Sequence, residues 1–447
     1  MSVLPKKHDQ NEIMLLWDES HIWGLMLWRS LCLLGLPPQV IRSQEICQGI
    51  LSQNPPKLLI VPGGWASRKA LSLKDKGRSE IRNFLQQNQG TYLGLCGGAG
   101  LALSNGNNLS SLGLCPWTRK PLQQRLPNCS GHIYIDISQD LNLHPKNKIE
   151  NITAPIWWPS QFDPQPGNQV DIVASYQNPS TDFWVADLPV FSLPKDSFSF
   201  WEDIYNINLD PENLRGEPCL VKGVYGQGKY LLSYLHLETP ASPEANNWLH
   251  DLISSLINKR NKFKQPMSVP EWDLKDLPIY WQNQTLIDAK KQLNRIIESS
   301  QENFFLCWRK PWLLGWKRGF PGFAVNTLYA LIAQSLSLPV NQQIHHFWDK
   351  KGGIFEETMD SFTNQFHSYL GQLRLNLNQA LGPSRENLSI KLEEKKENLF
   401  GPFPGQDGLF GQLITIMQES LWLQIRQISQ KKDRLELSSC LDQTQEI

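Results

Sequence analysis

The sequence has no excess charge of either sign, since its 447 residues include 43 Lys and Arg and 43 Asp and Glu. A zero formal charge argues against binding nucleic acid through bulk positive charge. Long apolar runs are also missing: the most apolar stretch, Phe320 to Val340, is interrupted by Asn326, Gln334 and two prolines, unlike a membrane span. The first residues lack the apolar segment of a signal peptide. We therefore expect a cytoplasmic protein with no nucleic-acid partner and no membrane span.

Cysteine is scattered and forms no Cys-x-x-Cys pair, so the sequence indicates neither a zinc site nor a disulfide scaffold. The eight cysteines stand at positions 32, 47, 96, 115, 129, 219, 307 and 440. This distribution is typical of a reducing compartment, and we expect no metal and no cofactor. His345-His346 is interpreted as a solvated or capping pair, because adjacent side chains on a helix point apart and no carboxylates accompany them.

The stretch Thr91 to Gly100, Thr-Tyr-Leu-Gly-Leu-Cys-Gly-Gly-Ala-Gly, joins a short apolar strand to a glycine-rich turn at Cys96. A nucleophile elbow has this pattern, because its strained strand-to-helix turn needs neighbours with almost no side chain. The turn would expose the sulfur, and the N-terminus of the next helix would favour the thiolate. The amide of Gly97 would point to where an oxyanion forms. The alternative is a buried structural cysteine.

Two further motifs supply the partners that a cysteine nucleophile needs. Pro62-Gly-Gly64 follows one buried-strand pattern, and His236-Leu-Glu238 follows another. A base must take the thiol proton and a carboxylate must orient that base, roles that His236 and Glu238 fit. The backbone of Gly64 could donate to the oxyanion. Open α/β sheets place their sites at the C-terminal ends of strands, so three such ends predict an active site.

These motifs, in this order, resemble those of the class I glutamine amidotransferase-like superfamily. Within it they are most similar to the N-terminal domain of biotin–protein ligases and to free-standing bacterial proteins built on that domain. Pro62-Gly-Gly-Trp65, Tyr92 to Gly100 and the strand before His236 are the matching parts, within about residues 12–258. The resemblance implies these roles: nucleophile Cys96, base His236, orienting carboxylate Glu238, and oxyanion donors Gly64 and Gly97.

The sequence departs from the superfamily pattern in three ways. Gly100 stands four residues after Cys96, where glutamine-hydrolysing members usually have Gln, so the substrate need not be glutamine. Cys96 and His236 are 140 residues apart, which is long for the superfamily and implies an insertion. The Gly-Arg-Gly-Arg nucleotide loop of the ligase catalytic domain is absent, so we do not expect biotin transfer.

Strand and helix patterns alternate up to Leu95, which predicts a flavodoxin-like doubly wound parallel sheet over residues 12–258. Ser20 is predicted to cap the first helix, and residues 189–217 are predicted to be an inserted surface loop. Further strand patterns after the elbow would extend the sheet. Among them, Asp182, Trp184 and Asp187 could line a substrate pocket or pack at a sheet edge.

Residues 259–280 contain Lys, Asn and three prolines and are predicted to be a linker. Apolar residues at helical spacing from Ile354 to Leu381 then predict a mainly helical domain over 281–447, without strands and of unknown role. The segment Trp308 to Arg318 mixes tryptophan with cations. It is interpreted as a packed loop with Trp–Arg stacking, and contact with lipid or RNA is the alternative.

Three hypotheses of function follow. The first is a cysteine-dependent amide hydrolase or amidotransferase, which would act on a small-molecule amide through a thioester. The second is a catalytically silent binding or regulatory module of the same fold. The third is a scaffold that recruits a partner protein through the helical domain.

Overall fold

The computed structural model describes residues 12–104, 110–138, 143, 152–167, 169–194, 196–258, 268–378, 385–402 and 405–430. Linker residues 259–267, Leu381 and Cys440 lie outside these ranges. The chain divides into two compact units, Met1–Pro270 and Glu271–Ile447. The family assignment of the first domain and the role of the second stay predictions.

The first unit is built on a β-sheet with flanking helices. Its strands are β1 Ile13–Leu16, β2 Gln39–Ile41, β3 Leu58–Val61, β4 Thr91–Leu95, β5 Thr118–Arg119, β6 Ser130–Ile137, β7 Thr153–Trp157, β8 Phe162–Asp163, β9 Asp171–Pro179, β10 Trp184–Val185, β11 Leu188–Pro189, β12 Pro218–Tyr225 and β13 Gly228–Ser233. Its helices are α1 His21–Leu33, α2 Ser43–Cys47, α3 Ile50–Gln53, α4 Ala66–Asn88, α5 Gly97–Ala102, α6 Ser197–Tyr205 and α7 Pro243–Leu256.

The described part of the sheet has 11 strands in the order β11-β10-β6-β9-β12-β13-β4-β3-β1-β2, with β7 paired to β6. Five neighbouring strands pair in parallel with one another: β13, β4, β3, β1 and β2. On the other side of β13, the strands pair antiparallel: β12, β9, β6, β7, β10 and β11. Burial explains the division: β1, β3 and β4 are buried at every residue, as in a sheet covered on both faces, whereas exposed and buried residues alternate along part of β6. The predicted α/β class is therefore confirmed, with a parallel core inside a mixed sheet.

Two local predictions in this unit are wrong. Residues 189–217 are not simply a loop, because they include α6 and the 3-10 turns Val190–Ser192 and Pro211–Leu214. Ser20 precedes α1 but makes no side-chain capping bond. Its hydroxyl instead donates to the carbonyl of Leu16 at 3.1 Å and accepts from Nζ of Lys69 at 2.5 Å. A buried lysine, which the local pattern cannot reveal, thus engages the serine.

The second unit is mainly helical, as predicted. Its helices are α8 Gln284–Glu302, α9 Gly322–Leu336, α10 Gln342–Asn378, α11 Arg385–Phe400 and α12 Gly408–Gln430, and its strands are β14 Leu306–Lys310 and β15 Leu313–Trp316. The expectation of no strands is wrong, since β14 and β15 form an antiparallel hairpin. Aromatic packing accounts for the hairpin: the Trp308 ring lies 6.0 Å from that of Tyr329, and Nζ of Lys275 lies 4.7 Å from the Trp308 ring centroid. Among the described residues, no helix has the length and apolar character needed to cross a membrane.

Candidate active site

Three neighbouring parallel strands bring the predicted motifs to one edge of the sheet. Val61 of β3 pairs with Gly94 of β4, and Leu95 of β4 pairs with Ser233 of β13. The segments that follow these strands therefore begin side by side: Pro62-Gly-Gly64 after β3, Cys96 after β4, and Tyr234 to Glu238 after β13. This edge of a parallel sheet is where α/β proteins bind ligands.

Cys96 has the backbone conformation of a strained turn, with φ 48° and ψ −103°. A positive φ at a residue with a side chain costs roughly 1–3 kcal/mol and persists only where neighbours enforce it. Here the Cys96 N–H donates to the carbonyl of Ser233 at 2.7 Å, and the Cys96 carbonyl accepts from the Gly100 N–H at 2.9 Å. The cysteine is partly exposed. The turn thus holds a reachable thiol at the end of β4.

The glycines around Cys96 are required by close backbone contacts. A Cβ on Gly94 would lie 2.7 Å from the carbonyl oxygen of Gly98. A Cβ on Gly97 would collide with the carbonyl of Gly64, and one on Gly98 with the carbonyl of Val61. The predicted oxyanion residues Gly64 and Gly97 are therefore in direct contact through their backbones. Side-chain-free residues let the two loops approach each other this closely.

His236 and Glu238 form a buried pair. Nδ1 of His236 lies 2.8 Å from Oε1 of Glu238, and both side chains have 0% relative exposure. The backbone here is also held: the His236 N–H donates to the carbonyl of Pro155 at 2.8 Å, and the Ser30 hydroxyl donates to the carbonyl of Glu238 at 2.6 Å. The carboxylate therefore fixes the orientation of the imidazole ring, as an orienting residue does beside a catalytic histidine.

The charge state of His236 depends on both of its neighbours. Burial by itself lowers the pKa of the ring, but the charge of Glu238 and hydrogen bonding with the Cys96 side chain outweigh burial and raise that pKa above its ordinary value. Nε2 has no partner of standard hydrogen-bond distance and angle among the described residues. Since Nδ1 faces Glu238, Nε2 is the nitrogen left for Cys96. The structure thus brings Cys96, His236 and Glu238 together.

Trp23 of α1 forms a wall of this site that the motifs do not indicate. Its ring centroid lies 4.6 Å from that of His236 and 6.1 Å from that of Trp158. A Cβ on Gly63 would lie 2.9 Å from Cγ of Trp23, so the same ring packs against the Pro62-Gly-Gly64 loop. Residues His21 to Leu31 are all buried, so hydrophobic periodicity could not distinguish Trp23 from ordinary core residues.

Lys69 of α4 is a buried lysine near the same edge, and no local pattern indicates it. Its side chain is fully covered, and Nζ donates to Ser20 Oγ at 2.5 Å and to the carbonyl of Asp18 at 3.2 Å. Burial lowers the pKa of Lys69 to about 7, although the charges of Glu19, Asp18 and Cys96 act in the opposite direction. An ammonium group within electrostatic reach of Cys96 therefore titrates near neutral pH.

The start of α1 holds two further titratable groups beside Lys69, namely Glu19 and His21. Burial, followed by the charges of Lys69 and Arg68, lowers the pKa of His21 to about 3, so its ring is neutral at physiological pH. Oε2 of Glu19 lies 3.8 Å from Nε2 of His21 and accepts from Nε of Arg68 at 3.2 Å. Glu19 and His21 both have positive φ, and a Cβ on Gly64 would collide with the carbonyl of Glu19. This turn supports the Gly64 loop from behind.

Another hydrogen-bonded group in the first unit consists of a serine, a histidine and an aspartate. Oγ of Ser242 lies 2.9 Å from Nε2 of His132, and Nδ1 of His132 lies 2.8 Å from Oδ2 of Asp182. In a serine hydrolase the aspartate is buried and the serine is accessible to substrate. The order of solvent exposure in this group is the reverse. Here Ser242 is 4% exposed, whereas the side chain of Asp182 is 28% exposed. The chain of bonds therefore ties the start of α7 to β6, and Asp182 belongs to this structural link.

Within the described part of the chain, no group of three or more His, Cys, Asp or Glu side chains is arranged to hold a metal ion. His345 instead packs edge-on against Trp281, with ring centroids 6.3 Å apart.

Comparison with known proteins finds no matching family model and no matching curated protein. Among solved structures, a candidate GMP synthase component from Thermoplasma acidophilum matches at 12% identity and a TM-score of 0.33, over 56% of this chain and 96% of that one. A β-galactosidase from Bacillus circulans sp. alkalophilus matches at 13% identity and a TM-score of 0.33, over 56% of this chain and 31% of that one. A β-galactosidase from Rahnella sp. R3 matches at 10% identity and a TM-score of 0.32, over 58% of this chain and 33% of that one. Scores this low carry no argument about function, which must come from the site.

Proposed function

We propose that this protein is a cysteine-dependent amide hydrolase or amidotransferase with Cys96 as nucleophile. The supporting observation is the buried His236–Glu238 pair, with 2.8 Å between Nδ1 and Oε1, next to the strained turn at Cys96. A nucleophile, a base within reach of it and a group that orients the base together define this class of chemistry. The likeness of the three motifs to those of class I glutamine amidotransferases and biotin–protein ligase N-terminal domains supports the same proposal.

In the acylation step, the Cys96 thiolate attacks the carbon of a carboxamide and the carbonyl π electrons move to oxygen. Backbone N–H groups of Gly97 and Gly64 would stabilise this oxyanion. Collapse of the intermediate breaks the C–N bond, and the imidazolium of His236 protonates the departing nitrogen, which leaves as ammonia or an amine. The product is a thioester on Cys96. Glu238 stabilises the imidazolium form that this step requires.

In the deacylation step, neutral His236 takes a proton from water, and the resulting hydroxide attacks the thioester carbon. The C–S bond breaks, a carboxylic acid is released and Cys96 regains its thiolate. In an amidotransferase the released ammonia would be used by a second reaction. This chemistry draws on side chains and backbone amides of the chain itself.

Ammonia release from a panel of carboxamides, among them glutamine, asparagine and succinamate, tests the proposal. The full chain should release ammonia from at least one of them and accumulate a thioester that mass spectrometry places on Cys96. Cys96→Ser and His236→Ala should each abolish both signals, while Cys307→Ser, which changes an exposed thiol elsewhere, should not. If no panel member is hydrolysed and Cys96 shows no enhanced reactivity, the fold serves as a binding module instead.

A further inference from the structure

Two arginines lie next to the elbow, outside the three motifs. Arg119 belongs to β5, and its side chain lies across Gly100: a Cβ built on Gly100 would be 3.8 Å from Nη1 and 3.9 Å from Cδ of Arg119. The Gly100 N–H donates to the carbonyl of Cys96 at 2.9 Å, so Gly100 is one helical turn from the nucleophile. The guanidinium of Arg119 therefore lies beside the first turn of α5, the helix that Cys96 caps, and Gly100 has no side chain to block it.

Arg125 is a second cation, and it contacts the residue that follows Arg119. Its Nε donates to the carbonyl of Lys120 at 2.7 Å, which holds the side chain back toward β5. Burial, followed by the positive charge of Arg119, lowers the pKa of Arg125. Two guanidinium groups close enough to repel each other are stabilised when an anion binds between them.

Two carboxylates around β5 already have other partners. Glu217 pairs with Lys120 at 2.7 Å, and Asp163 accepts from the Thr118 hydroxyl at 3.0 Å and from Gln165 at 3.2 Å. Neither Arg119 nor Arg125 forms an ion pair with any residue that the structure describes. Their charge is thus not neutralised by any carboxylate of the residues that the structure describes, and it is available to an anionic ligand.

A buried phenol links the arginines to the catalytic segment. Phe162 pairs with Arg119 across β5 and β8, and its ring centroid lies 4.4 Å from that of Tyr234, two residues before His236. The Tyr234 side chain is 1% exposed, and its hydroxyl has no hydrogen-bond partner of standard geometry among the residues described. Burial raises the pKa of Tyr234, and the charges of Arg119, Cys96 and Arg125 all act on it. The phenol is thus within electrostatic reach of these three groups, and hydrogen bonding with the Ser160 side chain acts on its pKa as well.

We propose that Arg119 and Arg125 form an anion subsite beside Cys96, and that the amide substrate carries a carboxylate which these guanidinium groups bind. The inference rests on the proposed function and specifies its substrate class: an amide with a carboxylate a short distance from the carboxamide. Planar guanidinium groups bind carboxylates through paired N–H donors. Uncharged amides of the same size would be poor substrates.

Two alkylating agents that differ in charge test the subsite without knowledge of the substrate. Iodoacetate carries a carboxylate and iodoacetamide does not. Both reagents alkylate a thiol by the same reaction, in which the sulfur displaces iodide from a methylene carbon. The ratio of the iodoacetate rate to the iodoacetamide rate should be at least about tenfold higher at Cys96 than at exposed Cys307 in the same chain, corresponding to about 1.4 kcal/mol of extra attraction. Added salt should reduce this preference.

Arg119→Gln and Arg125→Gln should each lower the Cys96 ratio toward that of Cys307, and the ratio is the readout because it cancels any change in thiol reactivity that is common to the two reagents. Arg82→Gln, on α4 and hydrogen-bonded to Ser79, is the matched control and should change neither rate. A fast iodoacetamide reaction at Cys96 with the same ratio as Cys307, unaffected by the arginine variants, would overturn the subsite and leave the proposed function standing.

A Cys96 that reacts with neither reagent would overturn the proposed function, and a binding measurement then decides the subsite. In the Cys96→Ala chain, succinamate should raise the melting temperature and uncharged butyramide should not. Loss of the succinamate effect in the double variant with Arg119→Gln supports the subsite. The absence of any succinamate effect in Cys96→Ala overturns it.

Discussion

Oε1 of Glu238 lies 2.8 Å from Nδ1 of His236, and neither side chain has any exposed surface. A carboxylate buried beside a single histidine can be stabilised by the charge on the ring, and the ring in turn is stabilised as an imidazolium. Because Nδ1 is engaged, Nε2 is the nitrogen that can exchange a proton with Cys96. The pair therefore sets both the orientation and the charge state of the proposed base.

Replacing the carboxylate of this pair should slow the proposed amide hydrolysis. Glu238→Gln retains the shape of the side chain but removes the negative charge, so the pKa of His236 should fall and the imidazolium should be less available. Loss of the equivalent carboxylate in a serine-hydrolase triad lowers turnover by on the order of 10⁴-fold. Ammonia release measures the loss, and NMR titration of His236 measures the pKa.

The control for this substitution is Glu12→Gln, which alters an exposed ion pair with Lys57 and should change neither quantity. Full activity in Glu238→Gln, with His236 titrating as in the wild type, would contradict an orienting role for Glu238.

Two glycines of the same short helix should respond in opposite ways to alanine. Gly97→Ala would drive a methyl group into the backbone carbonyl of Gly64, which cannot move aside easily, so stability should fall by about 1–3 kcal/mol or more. At Gly100 the nearest atom to a new Cβ would be Cβ of Ala66 at 3.5 Å, an ordinary contact. Gly100→Ala should be neutral or up to ~1 kcal/mol stabilising. Urea unfolding of both variants measures the difference, and equal effects would show that the two loops are not packed as described.

Lys69 should contribute stability that rises with pH between about 7 and 10, whereas His236, whose folded pKa is raised, contributes in the opposite direction over the same window. The folded pKa of Lys69, lowered to about 7, lies below that of the unfolded chain, so in this window the unfolded state holds a proton that the folded state lacks. The contribution of Lys69 should grow by up to ~4 kcal/mol across the window. Lys69→Met should lose this part of the pH dependence, so that its stability relative to wild type is greatest near pH 7 and declines toward pH 10.

Urea unfolding at intervals from pH 7 to pH 10 measures this dependence. Lys57→Met, which removes a lysine whose side chain is 51% exposed, should retain the slope of the wild type. If Lys69→Met and wild type show parallel profiles, Lys69 is charged in the folded protein throughout this range.

Thiol labelling should distinguish Cys96 from the structural cysteines. Burial raises the pKa of Cys32 and of Cys219, and raises that of Cys129 to about 12, so these thiols should react slowly with iodoacetamide at pH 7. Cys96 is partly exposed and adjoins His236, so it should be labelled first among these four. Peptide mapping by mass spectrometry gives the order.

Variants of the base refine this labelling test. His236→Ala should slow the reaction at Cys96, and Glu238→Gln should slow it less, because the ring remains in place. Exposed Cys307 serves as an internal reference for an ordinary thiol. If Cys96 reacts no faster than Cys32 in the folded protein, the elbow has a structural role only.

The sequence alone was enough to locate the elements that depend on local chemistry. Buried runs such as Leu58 to Val61 are typical of strands in a covered sheet, and the glycines around Cys96 indicate a turn that tolerates no side chains. Both features depend on residues within a few positions of one another, so they can be recognised before the chain folds. The mainly helical structure of the second unit could be predicted for the same reason, because the spacing of apolar residues along a helix is a local pattern.

Only the tertiary structure decided which distant groups meet at the elbow. His236 lies 140 residues after Cys96, and it arrives there because β13 pairs in parallel with β4 after the antiparallel extension of the sheet. Trp23, Lys69 and Arg119 carry no local signal, since a buried lysine and an exposed one look alike in a sequence. Burial, electrostatic reach and the space beside Gly100 are properties of pairs of residues far apart in the chain, and they exist only once the sheet has formed.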